Sequence, residues 1–269
     1  MNRRIVVATF VLGIVAVVTR ADEQDTKRLT TLTVEQARAL AQQKGDIHLD
    51  GLTSISPEVA AAFADFSGRL FLDGVTEVSP EVAKALATFK GELRLGSVKQ
   101  LSEEAAIALG QPSRRLSLLL KGMESMPAGV ARGLAANGGP LHLQGLTKLP
   151  DDVAAALATH RGQGLVFGTN LTDVSDKALI TLAEGKFTIL VLDSLTTISD
   201  DVAEALARHE GKTKLRGLTS LSDAAARAFA NHKGGLDFSD RLTDISQEAI
   251  AVLRANPHGV SLPRRLLEK

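Results

Sequence analysis

One segment of this chain returns every 23 residues along almost its whole length, and no other feature restricts the possible folds as much. Gly45-Asp-Ile-His-Leu-Asp-Gly-Leu-Thr-Ser-Ile-Ser-Pro-Glu-Val-Ala-Ala-Ala-Phe63 recurs as Gly68-Arg-Leu-Phe-Leu-Asp-Gly-Val-Thr-Glu-Val-Ser-Pro-Glu-Val-Ala-Lys-Ala-Leu86. Further copies begin near Gly91, Leu116, Gly139, Gly162, Thr188, Gly211 and Gly234. Spacings stretch to 24–26 around 112–115, 168–170 and 240–241, as loop insertions would do. A unit this short cannot bury its own apolar face, so copies must stack and share one continuous core.

Within each copy the apolar period changes from two to 3.6, the mark of a strand handing over to a helix. Ile47 and Leu49 alternate with polar neighbours, as do Leu70 and Leu72, Leu93 and Leu95, and Leu141 and Leu143. Val59, Ala62, Phe63 and Phe66 then form one helical stripe, repeated by Val82, Ala85, Leu86 and Phe89. Ser56, Ser79, Ser102, Ser175, Ser199, Ser222 and Ser246 stand where an N-cap hydroxyl accepts from an orphan amide, and an acid comes after each in the first turn. Pro127 and Pro150 replace that serine, which predicts weaker helix starts.

The expected fold is therefore α/β: a solenoid of about nine 23-residue strand–turn–helix repeats, with a parallel sheet on one face and helices on the other. At ~4.8 Å between strands, about ten strands give a sheet roughly 45 Å long. Residues 29–44 are expected as an N-terminal capping helix, 45–257 as the repeats, and 258–269 as a last strand and tail.

Ahead of the repeats, Arg3 and Arg4 precede an apolar run from Ile5 to Val18, and Thr19-Arg20-Ala21 offers small residues at a cleavage site. Residues 1–21 are read as a signal peptide and 22–28 as a charged linker, giving a secreted or periplasmic protein without stable membrane insertion once cleaved. The alternative is a chain tethered to a membrane by an uncleaved N-terminal segment. Its apolar run is short of the ~20 residues that a spanning helix needs. Cleavage would remove three arginines and no acid, taking the chain from 31 against 31 to 28 basic and 31 acidic residues, about −3. That balance argues against a nucleic-acid partner. Aromatic residues are only 3%, with no Trp or Tyr, which removes the usual stacking platforms for bases and glycans.

These repeats resemble the leucine-rich-repeat class, in particular the Ala-rich Gly-Leu-Thr-x-Leu-Ser variety of exported bacterial proteins, over residues 29–262. The resemblance implies a strand-lined face that binds other macromolecules. It departs where such repeats carry Asn after the strand: here stand Leu52, Val75, Leu146 and Leu218. Two columns are expected to compensate. Thr53, Thr76, Thr147, Thr172, Thr196, Thr219 and Thr243 could bond the turns with their hydroxyls, and Gly51, Gly74, Gly122, Gly145 and Gly217 suit a turn with positive φ.

No catalytic constellation emerges. With no cysteine there is neither a disulfide nor a thiolate. Glu210-Gly211-Lys212-Thr213 ends like a phosphate loop but has Leu206 where the first Gly belongs. His160, His209 and His232 share one repeat position at the end of the helix with Phe66 and Phe89, which favours capping of the negative helix end over a metal site. No catalytic residue, metal or cofactor is assigned, and the chain is not expected to be an enzyme.

The candidate binding residues lie between the inward residues of each strand: Phe71, Arg94, Leu119, His142, Val166 and Val191, with Lys212, Lys214 and Arg216 as a basic end. An apolar strip with a basic end suits a protein or peptide bearing apolar and acidic groups. The bland account is strand propensity, which favours Val and Phe in any case. Two functional readings remain: a non-catalytic protein-interaction module working through that face, or a structural, self-associating component of the cell envelope.

Overall fold

A computed structural model describes residues 26–111 and 116–267 of the chain; the expected signal segment 1–21 lies outside the described residues. One sheet of ten parallel strands runs in chain order: Ile47–His48, Arg69–Phe71, Glu92–Leu95, Ser117–Leu120, Leu141–Leu143, Gly164–Phe167, Ile189–Val191, Lys212–Lys214, Leu236–Asp237 and Val260–Ser261. Behind it the helices stack in the same order, each packed against its chain neighbours. The result is the expected α/β solenoid.

Strand register is set by burial on one side only. Leu70, Leu93, Leu118, Leu141, Leu165, Leu190, Thr213 and Leu236 pair in one inward row, and all are at most 2% exposed. The helical stripes meet them, so that Phe63, Leu86 and Leu157 are wholly buried in the same continuous core. Every capping serine accepts from the amide three residues on, from Val59 at 3.3 Å to Ala249 at 2.9 Å. Pro127 and Pro150 bring no side-chain cap, yet their helices Ala128–Ala135 and Asp151–Ala158 still reach 8 residues. Packing against neighbouring helices outweighs the missing cap, which is worth only ~1 kcal/mol.

In the second half the caps also join repeats. Ser175, Ser199, Ser222 and Ser246 each donate a hydroxyl hydrogen to the first-turn aspartate of the preceding helix, Asp151, Asp176, Asp200 and Asp223, at 2.5–2.6 Å. One hydroxyl thus accepts within its own helix and donates to the last one.

The turns depart from expectation in their means. Leu52, Val75, Leu146 and Leu218 are buried to 1% or less, and their amides turn back to the carbonyls of Leu49, Leu72, Leu143 and Leu215 at 3.1–3.3 Å. The Asn column is replaced by a packed side chain plus a local backbone bond. Between repeats the Thr ladder runs on amides: Thr76, Thr147, Thr172, Thr219 and Thr243 donate N–H to a carbonyl of the preceding repeat at 2.9–3.3 Å. Only the hydroxyls of Thr147, Thr219 and Thr243 join in, at 3.1–3.4 Å. Among the described glycines positive φ is confined to Gly45, Gly235 and Gly259, so the expected reason for the turn glycines is wrong. A Cβ at Gly74 would come within 2.1 Å of the Asp50 carbonyl, and at Gly145 within 2.2 Å of that of Lys121. Close stacking of backbone on backbone excludes the side chain there.

At the front, the helix Val34–Ala41 has a reciprocal cap between Thr33 and Gln36 and buries Ala37 and Leu40 against the first repeat. At the back, the last strand leads into a short helix, Arg264–Leu267, where a plain tail was expected. Arg254 donates to the Leu266 carbonyl and Arg265 to those of Asp240 and Leu242, which ties this helix down.

Candidate functional site

Alternation places one residue of every strand on the side away from the helices, and register lines these up across the sheet: His48, Phe71, Arg94, Leu119, His142, Val166, Val191, Lys214, Asp237 and Ser261. All the sequence-derived candidates stand on this face. They do not form one uniform strip.

At the N-terminal end the row fills itself. The Phe71 ring stacks on His48 with centroids 4.0 Å apart and planes at 11°, and the guanidinium groups of Arg94 and Arg69 lie 5.3 and 5.7 Å from its centroid. Each arginine is held in turn, Arg69 by Asp46 and Arg94 by Asp73, the latter at 2.7 Å. Phe71 is consequently 7% exposed although it points away from the core.

In the middle, Leu119, His142, Val166 and Val191 succeed one another in register without such a sandwich. Leu119 and Val191 are 9% and 7% exposed and belong to no part of the main core. Val166 and His142 are half-buried. Burial pushes the His142 imidazole below its usual pKa against a weak opposing pull from Glu92, so this ring stays neutral at pH 7 and continues the apolar strip.

Lys212, Lys214 and Arg216 project together, separated by the fully buried Thr213 and Leu215. The basic end is nevertheless not three free charges. Asp237, in register with Lys214, takes both Nε and Nη2 of Arg216, at 3.1 and 2.5 Å, and stands 3.9 Å from the Lys212 ammonium. That carboxylate raises the Arg216 pKa. Lys214 has no acidic partner among the described residues, nor has Lys121, which continues the alternation one residue beyond the strand Ser117–Leu120 and is exposed. Lys121 was missed from sequence, since only its place beside Leu119 on the folded sheet gives it a bearing on the strip.

The histidine column lies elsewhere, at the turn from helix to strand. His160, His209 and His232 are 0–2% exposed. His160 and His232 reach across repeats and do not cap their own helices: His160 Nδ1 meets the Ala135 carbonyl at 3.0 Å and His232 Nδ1 that of Ala207 at 3.3 Å. Asn137 and Asn256 do the same work with amides, donating to Leu116 and to Phe229 and His232 at 2.6–3.0 Å. Phe66 and Phe89 stack in the first half, centroids 5.9 Å apart. Neither ring nitrogen of His209 has a hydrogen-bonding partner among the described residues, and Phe187 packs 5.1 Å from its ring. Burial lowers all three histidine pKa values. A cleft of about 750 Å³ lies beside His209, with Glu184, Lys186, Arg208 and Lys212 on its walls.

No protein-family model matches the chain, and no curated protein matches it in sequence. Among solved structures the chain is similar to one from the Drosophila Toll–Spatzle complex, 13% identical with a TM-score of 0.38, over 86% of this chain but 41% of that one. It is also similar to an internalin from Listeria monocytogenes, 9% identical with a TM-score of 0.40, over 86% of this chain and 84% of that one. The molecule's own geometry defines its class: a leucine-rich-repeat-like solenoid with a ten-stranded parallel sheet on one face and a layer of helices on the other. Among the described residues no helix is long and apolar enough to cross a membrane.

Proposed function

We propose that this chain is an exported, non-catalytic interaction module that binds a protein or peptide across the middle of its strand face. The observation that carries this reading is the row Leu119, His142, Val166 and Val191, an apolar strip on the side of the sheet that no helix covers. Strands selected for folding alone would carry polar residues on that side, because alternation buries only the other. Phe71 and Arg94 lose their place in the site, since they are already occupied with His48, Asp73 and each other.

The test is a chain with Leu119, Val166 and Val191 replaced by Ser, checked for an unchanged circular dichroism spectrum and used beside the native chain to capture proteins from envelope extract. Capture that depends on the three residues supports the reading. Identical captures by the two folded chains overturn it. Light scattering across a concentration series addresses the self-associating reading: concentration-dependent oligomers that vanish in the same variant would make a second copy the partner.

A further inference from the structure

The apolar strip is bracketed by the two lysines of this face that lack an acidic partner among the described residues, Lys121 on one side and Lys214 on the other. Their strands are separated by those of His142, Val166 and Val191, so four strand steps part them. At ~4.8 Å a step, with the offset of Lys121 along its strand, the backbone positions of the two lysines stand about 20 Å apart. An extended chain covers that distance in about six residues, an even number, which leaves the first and last side chains on the same side.

The sheet also limits how a ligand can be held. Backbone groups of these strands are already paired with their neighbours. A ligand lying across them meets side chains alone, and charge and apolar contact must supply the recognition. The local acids do not cancel the lysines: Asp237 is engaged by Arg216, and Asp193 accepts from the Arg216 amide at 3.1 Å.

We infer that the strand face takes an extended peptide segment whose two carboxylate side chains, about six residues apart, settle on Lys121 and Lys214 while the apolar side chains between them lie on His142, Val166 and Val191. The ligand pattern is acid-x-apolar-x-apolar-x-acid. This rests on the proposed interaction role and adds the chemistry and spacing of the partner.

Selection of a random dodecapeptide phage library on the full chain tests it. Enriched peptides should carry Asp or Glu six positions apart around apolar residues. Their affinity, measured by fluorescence polarisation, should fall about two- to fivefold for Lys121→Ala or Lys214→Ala, as expected of exposed ion pairs. Lys121→Glu combined with Lys214→Glu should instead select Lys or Arg at the same spacing. Both lysines are on the surface, and an unchanged melting temperature confirms that the variants fold. Peptides that need Val166 and Val191 but carry no acidic pair, or bind the charge-reversed chain equally well, overturn the inference and leave the interaction role standing. Failure to enrich any peptide that depends on Val166 and Val191 overturns both.

Discussion

The first three strands and the next five have the same repeat, the same register and, apart from Ile47 and Thr213, the same inward leucines, yet their outer surfaces differ. In the first three, Phe71 is closed in by His48, Arg69 and Arg94, and the arginines by Asp46 and Asp73. From Ser117 to Lys214 the row is Leu, His, Val, Val and Lys, with no ion pair at either bracketing lysine among the described residues. The contrast extends inward. Phe66 and Phe89 fill the helix-end column in the first half, whereas His160, His209 and His232 fill it in the second. Hydroxyl-to-aspartate bonds between repeats also occur in the second half, from Ser175 onward. A repeat position thus sets where a side chain goes, and the residue chosen there decides whether the place is filler, a titrating group or contact surface.

The largest effect tests whether the two halves share one core despite these differences. Leu86→Ala and Leu157→Ala each remove a side chain with no exposure, and each should cost ~2–5 kcal/mol in urea unfolding. Near-equal losses support a common core. A small loss at Leu157 alone would show a second half packed in another register.

Acid should separate the halves next. Burial lowers the folded-state pKa of His160, His209 and His232 below the unfolded value, so their neutral forms cost nothing above about pH 6.5. As pH falls below that value the unfolded chain binds protons that the folded chain refuses, and stability is lost down to the folded pKa. Each histidine contributes at most ~1.4 kcal/mol per pH unit in that window. Backbone carbonyls work against the loss at all three, but at His209 the charge of His232 adds to burial and neither ring nitrogen has a close hydrogen-bond partner among the described residues, which leaves it as the main contributor. His209→Phe, copying Phe66 and Phe89, should flatten the fall in stability between pH 7.5 and 5.5. Hydrogen exchange should place the acid-labile amides around the strands Ile189–Val191 and Lys212–Lys214, and not around Arg69–Phe71. Equal loss in both regions would remove the distinction.

The smallest effect concerns the caps. Ser102→Ala removes one bond to the Ala105 amide, but Ser199→Ala removes the bond to Val202 and the one to Asp176. The first should cost ~1 kcal/mol and the second about 0.5 kcal/mol more, because the hydroxyl–aspartate bond is exposed. Equal costs would mean that the serine-to-aspartate ladder adds nothing.

Much of this was legible beforehand because local rules leave few choices. Ile47 and Leu49 alternate, Val82, Ala85 and Leu86 keep helical spacing, and Ser79 can cap only the helix that begins at Pro80. The outward row was legible for the same reason, as alternation sends Val166 and Val191 outward once Leu165 and Leu190 point in. The errors arose where the cause lies in another repeat. Nothing near Gly74 announces the Asp50 carbonyl 2.1 Å from its missing Cβ, and nothing near Arg216 shows that Asp237, 21 residues on, takes its charge.

The sequence by itself therefore determined the strand–turn–helix unit, its stacking into one parallel sheet and the face on which each strand residue stands, since these depend on apolar period, caps and the inability of one unit to bury its core. Only the tertiary structure decided which outward residues are still available. Phe71 and Val166 occupy the same repeat position, and their difference arises from Arg69 and Arg94 closing over the one while the other has neutral neighbours on both sides. Contacts at a spacing of about one repeat have no signal in local pattern, because register and side-chain length together settle whether a charge reaches across the sheet or remains in water.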